Sequence, residues 1–217
     1  MIKPEGKNSC WNIIKGIEKL SLNDWENHLS MILFLGGCNY RCPTCHNKTV
    51  AFTPDELISI TEYKILKTYN DKINWYEGIV ICGGEPTIHG NDLISLLTKL
   101  KKKTNLPIKL DTNGSNPFIV KYLLEKELID TVALDVKGPY HLYPNLVGNK
   151  DVTETIVKSN MNELFKLAVA KKYLGKFIFR TTLVPMLSRE DIKIVESYIP
   201  KQYTLKLQQY IKSDINH

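Results

Sequence analysis

The chain has 217 residues, 43% of them hydrophobic and 24% charged, which suits one globular unit with a sizeable core. No apolar run reaches the roughly 18–20 residues of a membrane span. The opening MIKPEGKNSC lacks the apolar stretch of a signal peptide, so a cytoplasmic protein with no membrane partner is expected.

The net charge of +6 is mild. Its densest run, Lys101–Lys103, closes an amphipathic helix, where the helix dipole favours cations. Solvated surface is therefore the simpler reading, and no nucleic-acid partner is expected.

Taken in chain order, Asn12–Leu29 is a lead-in without a strong period. MILFLGG (31–37) reads as a buried strand that ends in two glycines. Thr53-Pro54-Asp55-Glu56 has the signature of a helix start, and the spacing predicts a helix from there to about Tyr69. GIVICGG (78–84) is a second strand, followed by a helix over 91–103. LPIKLDTNG (106–114) is a third, followed by a helix over 117–127. DTVALDVKG (130–138) is a fourth, followed by a loop and a long helix near 152–173. KFIFRTTLVP (176–185) and YTLKLQQY (203–210) are the fifth and sixth, with a helix over 188–198 between them.

Short apolar strands alternating with helices predict a parallel sheet buried on both faces, with right-handed crossovers. Six units fall short of the eight that close a barrel, so an open partial (βα)6 barrel and a flat doubly wound sheet both fit the pattern. Polar or glycine-rich clusters follow the strands at their C-terminal ends: GGC, CGGEP, LDTNG, LDVKG, FRTT and LQQY. In parallel α/β folds ligands bind at that edge.

Five cysteines are present, and Cys38, Cys42 and Cys45 fall within eight positions of GGCNYRCPTCHN. An odd, crowded set argues against a disulfide framework and for metal or redox chemistry. Four readings compete. Cys42-Pro-Thr-Cys45 could be a redox pair, which leaves Cys38 unexplained. Cys38, Cys42, Cys45 and His46 could bind zinc in a non-catalytic interaction module, although adjacent Cys45 and His46 reach one tetrahedral ion only under strain. Three packed free cysteines need not cluster in a glycine-flanked loop. A C-x3-C-x2-C loop can ligate three irons of a [4Fe-4S] cluster and leave the fourth open for substrate.

Beside that loop stand Cys82-Gly83-Gly84-Glu85-Pro86, Leu110-Asp111-Thr112-Asn113-Gly114, Leu134-Asp135-Val136-Lys137-Gly138 and Arg180-Thr181-Thr182. Each alone is ordinary turn or strand chemistry. Together with CNYRCPTC they resemble the radical S-adenosylmethionine (SAM) enzymes, and within them the glycyl-radical-enzyme activating proteins. The nearest resemblance is to the activating protein of the anaerobic ribonucleoside-triphosphate reductase. It covers nearly the whole chain, including Ile14-Lys15-Gly16 and Ser21-Leu22-Asn23-Asp24-Trp25, which are similar to the activases' opening strand and the segment after it.

The resemblance implies one radical SAM domain over 1–217, with a lead-in over 1–30 and an open (βα)6 core over 31–210. It implies a [4Fe-4S] cluster on Cys38, Cys42 and Cys45, with SAM on its fourth iron. Reductive cleavage of SAM would then give a 5′-deoxyadenosyl radical that takes hydrogen from a glycine of a partner enzyme. Thr44, His46, Asn47, Gly83, Gly84, Glu85, Asn113, Asp135, Lys137 and Arg180 would line the SAM site, and Glu85 would meet its amino group. Lys137 and Arg180 would also take part in the chemistry. Asp111, Thr112 and Asp135 would bind a monovalent cation, and reduced flavodoxin or ferredoxin would supply the electron.

Thr44 departs from the aromatic residue usual before the last cluster cysteine, so stacking on adenine is lost there. No residue beyond the last strand, where Tyr210-Ile211-Lys212 stand, is assigned to SAM. Cys82 is expected as a packed strand residue. The alternative within radical SAM chemistry is a small-molecule substrate, as in 7-carboxy-7-deazaguanine synthase.

Overall fold

The computed structural model describes residues 9–212. Seven strands form one sheet in chain order: β1 (Ile14–Ser21), β2 (Ser30–Leu35), β3 (Gly78–Gly83), β4 (Ile108–Thr112), β5 (Thr131–Asp135), β6 (Phe177–Leu183) and β7 (Leu205–Gln209). β1 runs antiparallel to β2, and the remaining neighbours are parallel. Among the described residues β1 and β7 do not pair, so the sheet stays open. The six parallel strands are those the sequence pattern predicts.

The helices are α1 (Lys48–Phe52), α2 (Glu62–Asp71), α3 (Asn91–Thr104), α4 (Pro117–Glu125), α5 (Tyr143–Leu146), α6 (Glu154–Val169) and α7 (Arg189–Tyr198). Strand alternation separates two environments. Met31, Leu33, Leu35, Ile79, Ile81, Ile108, Leu110, Val132, Leu134, Phe177 and Phe179 belong to the main core, together with Leu93, Leu97, Val120 and Leu164 from the helices. The opposite face begins apolar, with Ile32, Phe34, Val80 and Cys82 around Trp25. From β4 onward the alternating positions are Lys109, Asp111, Ala133, Asp135 and Arg180, and that face becomes charged.

β1 lies inside the lead-in, where the resemblance at Ile14-Lys15-Gly16 implies an opening strand, although residues such as Glu18 and Lys19 interrupt any hydrophobic period. One expectation is corrected. The helix predicted from Thr53 is a single 3-10 turn, Pro54–Glu56, and the chain is extended at Leu57. Tertiary bonds override the helix signal: Ile60 N donates to Ile14 O at 2.8 Å, and Lys15 Nζ donates to Ser59 Oγ at 3.0 Å. The helix starts instead at Thr61, whose hydroxyl accepts from Lys64 N at 3.3 Å.

The lysine run lies at the end of α3 as expected. Lys101 pairs with Asp130 at 2.5 Å and Lys103 with Glu62 at 3.1 Å. No helix among the described residues is long and apolar enough to cross a membrane.

Candidate functional site

The C-terminal ends of the parallel strands open into a cavity of about 400 Å³. Cys38, Cys42, Thr44, Cys45, His46 and Asn47 line it from the loop after β2. Gly83 ends β3, with Gly84 and Glu85 after it; Asp111 and Thr112 end β4, with Asn113 after them; Asp135 ends β5, with Lys137 beyond it; Arg180 lies on β6. Every site residue expected from the sequence is thus brought to one cavity. Tyr40, Val136, Leu146 and Val184 add apolar wall.

Backbone bonds fuse the cysteine loop to the glycine-rich loop. Gly84 N donates to Leu35 O and Glu85 N donates to Gly37 O, each at 2.8 Å. A Cβ on Gly84 would fall 1.8 Å from Gly37 O, and one on Gly83 would fall 2.4 Å from the backbone of Leu35. Both glycines are needed for this strand-to-loop contact. Arg41 N donates to Val147 O at 2.7 Å and Asn113 Nδ2 donates to Asn39 Oδ1 at 3.0 Å, holding the loop from the far side.

The three thiols are free and partly buried. Burial pushes Cys38 up to about 11, against a hydrogen bond from Tyr40 N to its sulfur, and raises Cys42 as well. Iron ligation would have to displace those protons. Among the described residues no three His, Cys, Asp or Glu side chains converge on a point for a single ion. Three soft donors along one wall fit a [4Fe-4S] cluster, whose irons take separate thiolates. Cys38, Cys42 and Cys45 would hold it.

Glu85 is only 1% exposed. Its Oε1 accepts from Thr87 N at 3.1 Å, Thr87 Oγ1 at 2.6 Å and Thr112 Oγ1 at 2.7 Å, and its Oε2 accepts from Asn113 N at 2.6 Å. Burial raises its pKa while these four bonds oppose the rise. The carboxylate therefore ties the end of β3 to the end of β4.

Arg180 bridges two aspartates on two different strands. Its Nη1 reaches Asp111 Oδ2 at 2.8 Å, and its Nη2 and Nε reach Asp135 Oδ1 at 2.7 and 3.0 Å. Lys137 Nζ stands 3.5 Å from Asp135 Oδ2, and Lys109 pairs with Asp111 Oδ1. Burial would raise Asp135, but Arg180, Lys137 and Lys109 outweigh it and hold the carboxyl below the usual range. Burial alone would lower Lys137, and Asp135 and the nearby thiols raise it instead.

Sequence reasoning left three contributors without a role. Lys109 is 1% exposed, and its place two residues before Asp111 on one strand face was the available signal. Tyr210 sets its ring 5.4 Å from that of His46, between the end of β7 and the cysteine loop. Tyr143 accepts from Lys137 N at 3.0 Å and fixes the loop after β5. Cys82 is a packed strand residue of β3, as expected, and it packs on the cavity side of the sheet.

Known proteins show the family to which this fold belongs. The family model described as the radical SAM superfamily matches residues 32–199. A Methanocaldococcus jannaschii protein, provisionally named a glycyl-radical enzyme activating enzyme, is 33% identical over 205 residues, which is 93% of this chain and 81% of that one. The pyruvate formate-lyase-activating enzyme of Streptococcus mutans is 26% identical over 195 residues, covering 85% of this chain and 66% of its own. The solved structure of hexahistidine-tagged anSMEcpe with bound AdoMet superposes with a TM-score of 0.53 at 21% identity, over 82% of this chain and 48% of that one. That last likeness concerns the fold alone. With the family match spanning most of its length and running through every strand of the site but β1 and β7, the chain belongs to the radical SAM superfamily.

Proposed function

We propose that this protein is a radical SAM activating enzyme that makes a glycyl radical on a partner enzyme, with an anaerobic ribonucleoside-triphosphate reductase the favoured partner. The observation that carries the reading is the meeting in one cavity of three free thiols with the ion-pair network of Lys137, Arg180, Asp111 and Asp135. The 33% identity to the Methanocaldococcus jannaschii relative supports the activating class.

When bound, the cluster on Cys38, Cys42 and Cys45 supplies the electron for reductive cleavage of SAM. Lys137 and Arg180 present positive charge to the methionyl carboxylate, while Asp111 and Asp135 fix where those cations point. The backbone beside Gly83 and Gly84 gives the methionyl amino group its acceptors, and Glu85 holds that backbone in place. Tyr40, Val136, Leu146 and Val184 keep water from the reacting centre. His46 and Tyr210 close the side next to β7. Reduced flavodoxin or ferredoxin suits the electron demand.

Anaerobic reconstitution followed by electron paramagnetic resonance tests the proposal. A glycyl radical signal on a co-encoded glycyl radical enzyme, dependent on SAM and reductant, is expected. Turnover of a free small molecule with no signal on any such partner would overturn it.

A further inference from the structure

Asp111, Thr112 and Asp135 stand where a monovalent cation is implied by the resemblance, but their surroundings do not fit one. All four carboxylate oxygens already face protein cations. Asp111 Oδ1 meets Lys109 and Asp111 Oδ2 meets Arg180 at 2.8 Å. Asp135 Oδ1 meets Arg180 at 2.7 Å, and Asp135 Oδ2 faces Lys137 at 3.5 Å. The Thr112 hydroxyl is turned away to Glu85 at 2.7 Å and accepts from Gly114 N at 3.2 Å. These five side chains, three positive (Lys109, Lys137, Arg180) and two negative (Asp111, Asp135), sum to +1, with the carboxylates of Glu85 and Asp24 also lining the cavity. A further cation would have to displace a protein cation from one of these oxygens.

We infer that Lys109 is a positioning residue whose buried ammonium replaces the monovalent cation, so that the SAM site of this chain needs no bound sodium or potassium ion. Lys109 is 1% exposed and sits on β4 two positions before Asp111, on the same strand face and outside the cavity lining. Its Nζ holds one oxygen of Asp111, which leaves the other for Arg180. An ammonium on a tether delivers the same unit charge as a potassium ion without a loading equilibrium. Lys137 and Arg180 are then left to face the carboxylate of SAM. This last step rests on the function proposed above.

The test measures SAM binding to the anaerobically reconstituted protein in potassium, sodium or tetramethylammonium chloride at matched ionic strength. The wild-type dissociation constant should change by less than about twofold among the salts, because general screening is held constant. A rise of about tenfold in tetramethylammonium would overturn the inference, being the size expected when one partly buried charge is lost. Lys109→Ser opens a void beside Asp111 and brings the group from +1 to neutral. Its SAM affinity should fall about tenfold in tetramethylammonium and recover in potassium or sodium.

The unloaded variant should likewise melt higher in potassium than in tetramethylammonium, whereas the unloaded wild type should not. Equal weakening of the folded variant in all three salts would assign Lys109 a packing role and overturn the inference. Should Lys109→Ser fail to fold, the wild-type series still decides. Failure to bind SAM in every salt, with four irons loaded per chain, would count against the proposed function instead and leaves no support for this one.

Discussion

Arg180 on β6 reaches past β5 to Asp111 on β4, with 2.8 Å between Nη1 and Oδ2. The register explains the reach. Asp135 is opposite Arg180, and Asp111 is opposite Ala133, whose small side chain leaves the diagonal open. One guanidinium thereby locks three neighbouring strands at the level of the cavity. Arg180→Lys keeps the charge but loses the fork, and should leave one aspartate unpaired. We expect a loss of about 2 kcal/mol in urea unfolding and weaker SAM binding. Unchanged values for both would show that the bridge is dispensable.

Asp135 sets an acid limit. Its carboxyl is held below the usual range, so its stabilising effect is complete above the unfolded value of about 3.9 and is lost as pH falls through the lower folded value. Wild-type stability should drop steeply below about pH 4. Asp135→Asn should start less stable at neutral pH and show a flatter acid limb, readable as urea midpoints against pH. A variant curve parallel to the wild type would refute the assignment.

Glu85 carries a different load. Truncation to alanine strands the donors of Thr87, Thr112 and Asn113 in a buried site. Glu85→Ala should cost about 3 kcal/mol of stability by calorimetry, the scale of a few unsatisfied buried groups. Loss of SAM binding with undiminished stability would make the carboxylate a ligand contact alone.

The cysteines separate by role. Cys38→Ala, Cys42→Ala and Cys45→Ala should each lose the cluster and reductive SAM cleavage together, against about four irons and four sulfides per chain in the parent. Cys10→Ala and Cys82→Ala should retain iron, since Cys10 packs in the main core and Cys82 lies on the sheet face below the site. Iron and sulfide assays on the reconstituted variants decide it, and an iron-free Cys82→Ala would bring that residue into the ligand set.

The parallel core was readable because β2 to β6 are short apolar runs punctuated by polar turns, and the cavity was readable because those turns share one edge. β1 was not readable by period, since it is an edge hairpin strand with an exposed face. The false helix start at Thr53 had the right local residues, and bonds from Ile60 and Ser59 to the lead-in outweighed them. Lys109 hid inside an apolar strand, where a lone lysine reads as a blemish until Asp111 is placed on the same face. Tyr210 could not be assigned because its partner, His46, lies at the opposite end of the chain's core.

The contact between Gly84 and Gly37 has a consequence for how such chains can change. Gly84 admits not even a methyl group while the Gly37 carbonyl stays where it is. The glycine after β3 and the cysteine loop after β2 therefore cannot drift separately: an alanine in place of Gly84 pushes the sulfur-bearing loop out of register with everything beneath it. Two short signatures far apart along the chain are, in three dimensions, a single steric condition, and meeting both together says more than twice what either says alone.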